Sequence, residues 1–185
     1  MEIAITIFLF LALSLGSFAP AWYTGALHHK LGVRLPYTFI LISGISSVVF
    51  FIAGYLPAQS AIHYLPDYSC IAGQLIVLIV GIKLIAEAIR FNPEEKIVLI
   101  DDRQTSIILS LAKGINYLFI GMGIGLCYAL NFYSFIVLFG LEIMAIASGL
   151  MLGNHFGLKR SIRTLFLISG VAVVAAAIRS IVVQF

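Results

Sequence analysis

Charge is what this sequence has least of. Asp, Glu, Lys and Arg make up 10% of its 185 residues, against about 25% in an average soluble domain. A water-soluble fold of this length could not cover its surface with so few charges, so a soluble enzyme and a disordered tail are both excluded. The net charge of +3 comes from 11 Lys and Arg against 8 acids, scattered along the chain; they form no basic patch, and no nucleic-acid partner is expected. Cysteine is nearly absent as well. Cys70 and Cys127 each stand alone in an apolar run without a C-x-x-C pair, so no disulfide framework is expected. G-x-S-x-G, H-E-x-x-H and a Walker-type P-loop are all missing, which argues against intramembrane proteolysis and ATP-driven pumping. The expectation is a protein that is not an enzyme and carries no cofactor.

What the chain does have is apolar sequence, 62% of it. A membrane helix takes about 20 mostly apolar residues. Six windows qualify: Ile3–Trp22, Pro36–Pro57, Tyr68–Ile89, Ser106–Cys127, Phe132–Leu152 and Arg163–Val183. They are continuously apolar rather than alternating, which favours helices over a β-barrel. The first has no basic residue before it and no A-x-A-like site after it, and reads as a retained helix rather than a signal peptide. The fold class expected is therefore an all-α integral membrane protein with six transmembrane helices and the lipid bilayer as its main partner.

The connections alternate in charge. The first runs His28-His29-Lys30-Leu31-Gly32-Val33-Arg34, and the second, Ala58–Asp67, has one acid and no Lys or Arg. The third, Arg90–Thr105, is long and mixed; the fourth, near Asn131, is uncharged; the fifth carries Lys159, Arg160 and Arg163. The positive-inside rule puts the odd connections in the cytoplasm and both termini outside, in a multi-pass protein of the plasma (inner) membrane. The long connection divides the chain into 3–89 and 106–183, joined by a cytoplasmic linker at 90–105. Two halves of three spans each, if they are repeats, must be inverted relative to one another, a common plan of secondary transporters. Ser47 and Gly54 in span two match Glu142 and Gly149 in span five at the same spacing, and Ser14-Leu15-Gly16-Ser17 lines up with Lys113-Gly114-Ile115-Asn116.

Ionisable groups inside a bilayer are expensive and mark function by default. Glu142 lies near the middle of span five, too far from either end for its short side chain to reach water. It must be protonated, paired or facing a cavity; the alternative to a functional role is a neutral Glu bonded to a neighbouring helix. Lys113 and Asn116, three apart in span four, share a helix face. Lys113 either faces Glu142 as an intramembrane ion pair or snorkels to the cytoplasmic side. Lys83 and Glu87 in span three read as an interfacial pair with snorkelling tips. The G-x-x-x-G spacings Gly121/Gly125, Gly149/Gly153 and Gly153/Gly157 point to close helix packing, and Pro20 is expected to bend or break the first helix. His28 and His29 lie in the first connection, His63 in the second and His155 in the last, and together they make no metal site. The acids from Glu94 to Asp102 read as a solvated loop.

Several stretches resemble the MntP-type manganese efflux pumps of the LysE-like exporter superfamily. The likeness is carried by Ser14-Leu15-Gly16-Ser17-Phe18-Ala19, Gly44-Ile45-Ser46-Ser47, Gly81-Ile82-Lys83-Leu84-Ile85-Ala86-Glu87-Ala88-Ile89-Arg90, Ile115-Asn116-Tyr117-Leu118-Phe119-Ile120-Gly121 and Gly149-Leu150-Met151-Leu152-Gly153. The resemblance implies cation-binding acids in spans one, two and four, where this chain has Gly16, Ser47 and Asn116. It also implies an acid at Glu87. Neutral Ser and Asn oxygens compensate a doubly charged ion poorly, so the fold carries over more readily than the cargo. Glu142, in the position mirroring Ser47, is a carboxylate moved to the other half.

The expected activity is secondary export of a small ion. Glu142, Asn116, Ser47, Gly16 and Lys113 are the binding candidates, and Glu87 and Ser17 are accessory. Manganese is the cargo the resemblance names, and a different small ion or solute is the other candidate. A non-transporting membrane scaffold or partner subunit that kept the fold and lost the acids is the competing class. Either could form a homo-oligomer.

Overall fold

The computed structural model describes residues 2–32, 37–62, 68–90, 103–157 and 161–182. Six helices make up nearly all of it: α1 (Glu2–Leu31), α2 (Tyr37–Ala61), α3 (Ser69–Arg90), α4 (Arg103–Gly125), α5 (Phe132–Phe156) and α6 (Ser161–Val182). Each is long and apolar enough to cross a membrane. Most of the proposed linker (91–102), Arg34, His63, Lys159, Arg160 and the acids Glu94 to Asp102 lie outside the described residues.

Helix α1 runs nine residues past the end expected at Trp22, because nothing after Pro20 stops it until Gly32, whose φ of +67° suits glycine. His28 and His29 therefore belong to the last turn of α1 rather than to a connection, and His28 is fully buried. Pro20 lies inside the helix and does not end it. Lacking an N–H, it leaves the Gly16 carbonyl without its usual helical donor. His155 likewise sits in the last turn of α5, edge-on to Phe156. Gly157 caps that helix at a φ of +68°, its N–H bonded to the Gly153 carbonyl at 2.9 Å.

The burial pattern is that of a lipid-solvated bundle. On α2, Ser43, Ser47, Phe51 and Gly54 face inward, while Leu41, Ile45 and Val49 are exposed. On α5, Leu138, Glu142, Ile146 and Gly149 are buried, and Ile136, Met144 and Met151 are exposed. The outward faces of these helices carry large apolar side chains, and the inward faces mix large apolar residues with small and polar ones. Without a hydrophobic drive between helices, association in lipid depends on such close packing.

The tightest pairs are α2 with α4 and α1 with α5; α3 packs on α6 and α4, α1 on α6, and α2 on α5. Glycine sets the closeness. A Cβ on Gly54 would collide with the Leu118 carbonyl, one on Gly121 with that of Phe51, and one on Gly125 with that of Tyr55. In the other pair, Gly149 abuts the Phe18 carbonyl, Gly153 that of Trp22, and Gly25 that of Leu150. The first two G-x-x-x-G spacings are thus packing faces. Gly157 is not, since a Cβ there would meet nothing.

The cysteines correct the sequence reading. Cys70, in the first turn of α3, and Cys127, just past the end of α4, form a disulfide across 57 residues. Helix packing brings together two residues that spacing alone could not pair. Unreduced protein should give no adduct with a maleimide after denaturation, and reduction should expose both thiols, read as a two-label mass increase. Replacing Cys127 with Ser should cost about 2–4 kcal/mol of stability, visible as a lower Tm.

A polar pocket at mid-membrane

Helices α2, α4 and α5 bring their polar residues to one point. The Glu142 side chain, wholly buried, uses both carboxylate oxygens. Oε1 forms an ion pair with the Lys113 Nζ and accepts a long bond from the Ser47 Oγ at 3.5 Å. Oε2 accepts from the Tyr117 hydroxyl at 2.5 Å. Lys113 also donates to the Ser43 Oγ at 3.1 Å, and its ammonium stands 5.4 Å from the centre of the Tyr117 ring. The Tyr117 hydroxyl meets the Ser17 Oγ of α1 at 3.0 Å. Lys113 therefore does not snorkel. Its spacing from Tyr117, one helical turn, puts both on the face of α4 that looks at α5.

A second constellation lies beside the first. Lys83 donates to the Asn116 Oδ1 at 2.6 Å and stands 3.6 Å from the Glu87 carboxylate. The helical pair expected from sequence is present, but the lysine tip turns inward to α4 instead of toward the interface. The local i, i+4 partner hides that reach, and no sequence signal predicts it.

Several of these groups border a cavity of about 220 Å³, with Glu142 behind them in its wall. Gly16, Ser17 and Pro20 of α1, Ser43 of α2, Glu87 of α3, and Lys113, Asn116 and Tyr117 of α4 line it. It reaches from Phe39, Glu87 and Phe166, near the helix ends that the odd connections join, to Tyr117 at mid-depth. Toward the other membrane face an aromatic cluster closes the bundle. Phe10 meets Phe51 edge-on at 5.6 Å, Phe51 stacks on Tyr55 at 6.3 Å, and Phe135 packs against both at 6.0 and 5.6 Å. Leu138 and Ile120, both fully buried, fill the same layer. Beyond it, between the start of α1, the end of α4 and the start of α5, lies a second cavity of about 260 Å³, lined by Thr6, Tyr128, Asn131 and Ser134 among others.

Of the sequence candidates, Glu142, Lys113 and Ser47 meet directly, Ser17 joins through Tyr117, and Gly16, Asn116 and Glu87 line the cavity. A Cβ on Gly16 would lie 2.7 Å from the Ser169 Oγ, which would have to turn away from its bond to the Ala12 carbonyl. Tyr117 and Ser43 were not singled out from sequence. The available signal was the i, i+4 spacing of Tyr117 from Lys113 and of Ser43 from Ser47. Among the described residues no three His, Cys, Asp or Glu side chains cluster.

A family model described as "Putative manganese efflux pump" (MntP) matches residues 30–180. The chain belongs to that family. Comparison with curated proteins and with solved structures finds no match. The MntP match spans all of α2 to α5 and nearly all of α6, and so takes in every group that touches Glu142.

Proposed function

We propose that this protein is a secondary exporter of a small cation, with manganese the first candidate, and that Glu142 is the carboxylate its cargo contacts. The observation that carries this is a buried carboxylate held directly behind Lys113 and Tyr117, which line a cavity that enters from one side of the membrane and is closed toward the other. A cavity closed on one side by an aromatic layer is what alternating access requires of a carrier at rest. The Glu142 carboxylate meets Ser47, in a chain that has Gly16, Ser47 and Asn116 where the resemblance implies acids.

The helix register supports two inverted repeats, 3–89 and 106–183. A shift of 100 residues takes Gly25 of α1 to Gly125 of α4, and a shift of 95 takes Tyr55 of α2 to Leu150 of α5. The contact of Gly25 with Leu150 thereby maps onto that of Gly125 with Tyr55, and Gly149 on Phe18 maps onto Gly54 on Leu118. A shift of 89 exchanges Gly81 against Val174 with Gly170 against Ile85, in α3 and α6. The register in α1 and α4 differs by one residue from the sequence pairing and sets Gly16 against Asn116. Ser17 with Tyr117 and Ser47 with Glu142 are equivalent pairs that touch, so the site would lie on the pseudo-two-fold axis.

Orientation follows the charge alternation, with the odd connections and the Glu87 end of the cavity in the cytoplasm and both termini outside. The Cys70–Cys127 disulfide sits at the opposite face, where an oxidising compartment would be expected. The deciding experiment loads proteoliposomes with manganese and follows efflux. Wild type should export it, and Glu142→Gln, which keeps the shape, should lower the rate about tenfold or more while inserting normally. Unchanged efflux in the variant would remove Glu142 from the mechanism. Liposomes that move neither manganese nor another small ion would favour the scaffold reading.

A further inference from the structure

We propose that Lys113 is a built-in counter-cation: its ammonium takes the cargo's place on Glu142 when the carrier is empty, and so lets the unloaded protein reorient. This rests on Glu142 being the cargo carboxylate. Three features of the pocket carry it. The ammonium is already on Oε1 of Glu142, the oxygen that Ser47 also reaches. The lysine borders the cavity, with 19% of its side chain exposed while Glu142 has none, so an entering ion meets the ammonium before the carboxylate. A resting place stands ready for the displaced ammonium, because the Ser43 Oγ at 3.1 Å and the face of Tyr117 at 5.4 Å hold it independently of Glu142.

The physical reason is charge compensation. A bare carboxylate at mid-membrane is costly to bury, and carrying it through an occluded intermediate with nothing bound adds a barrier that a cation removes. In a carrier with Glu142 alone, cargo would supply that cation on the way out and nothing would supply it on the way back. Lys113, on a four-carbon tether, supplies it in the empty state and yields to cargo in the loaded one. No bond is made or broken and no proton need move; two cations take turns on one oxygen. Lys83 holds the Asn116 Oδ1, but the carboxylate it pairs with, Glu87, is 42% exposed and needs no counter-cation to be carried through the membrane, so Lys83 is not assigned this role.

The test separates net export from exchange. Proteoliposomes loaded with labelled manganese are diluted into buffer without manganese, which requires return of the empty carrier, or into buffer with unlabelled manganese, which does not. For Lys113→Met, net efflux should fall about tenfold or more relative to wild type, exchange should remain within about threefold, and half-saturation should shift to lower manganese because the competitor is gone. Lys113→Arg, which keeps the charge, should retain net efflux. Equal losses of net efflux and exchange in Lys113→Met, or a Lys113→Arg protein no better than Lys113→Met, would overturn the proposal and leave Lys113 a structural partner. Normal transport by Glu142→Gln would instead overturn the site reading on which it rests. Wild type that moves no manganese in either mode would overturn both.

Discussion

Replacing Glu142 with Ala should destabilise the bundle by about 3–5 kcal/mol, because it strands the Lys113 ammonium beside an apolar wall with only Ser43 and the Tyr117 ring for company. Much of that loss is the penalty of an unpaired buried charge rather than the worth of the pair. Removing both charges should therefore recover most of it. The double variant Glu142→Gln with Lys113→Met is expected within about 1 kcal/mol of wild type, since apolar and amide groups of similar volume replace an ion pair at little net cost. Thermal unfolding in detergent of Glu142→Gln, Lys113→Met and the double variant closes the cycle. A double variant as unstable as the worse single would mean the pair itself holds α4 to α5, whereas losses that simply add would mean the two side chains do not act as a pair. Stability rescued and transport abolished in the same double variant would show that the charges serve function rather than folding.

The second large effect concerns glycine. Gly54→Ala places a methyl against the Leu118 carbonyl, backbone that can yield only if α2 and α4 part along their length. The expected cost is about 2–3 kcal/mol, the upper part of the usual range for overpacking. Gly149→Ala, against the Phe18 carbonyl at 2.7 Å, should cost a comparable amount in the α1–α5 pair. Gly140→Ala is the internal control. Nothing lies within 4 Å of its Cβ position, so the gain in helix propensity, about 0.5–1 kcal/mol, should stand unopposed. Tm values in one detergent rank the three. A Gly140→Ala protein that melts below Gly54→Ala would contradict this packing.

The six spans were legible because a membrane helix announces itself by length and uniform hydrophobicity, and Glu142 because a lone acid has nowhere to hide in such a run. Lys113 could be placed on a face, and the face proved to look at Glu142. What the sequence withheld was cross-helix geometry. Tyr117 and Ser43 are ordinary residues in an apolar helix until a neighbour comes within 3 Å. Lys83 had a satisfactory partner one turn away, which made its bond to Asn116 invisible. Cys70 and Cys127 pair only because α3 and α4 lie side by side at one membrane face. Pro20 was expected to bend or break α1 because its missing N–H weakens a turn; it does not break it, and packing against α5 and α6 accompanies the unbroken helix.

The bond between Cys70 and Cys127 has a practical outcome. It fastens the third helix to the fourth on the far side of the bilayer from the 91–102 stretch, so a protease that severs that stretch would produce two peptides and still only one molecule. On a gel such a nicked protein would run at full size until a reductant separated the pieces. Fragments 1–90 and 103–185 made as independent polypeptides would have a covalent means of staying together once they had met in the membrane.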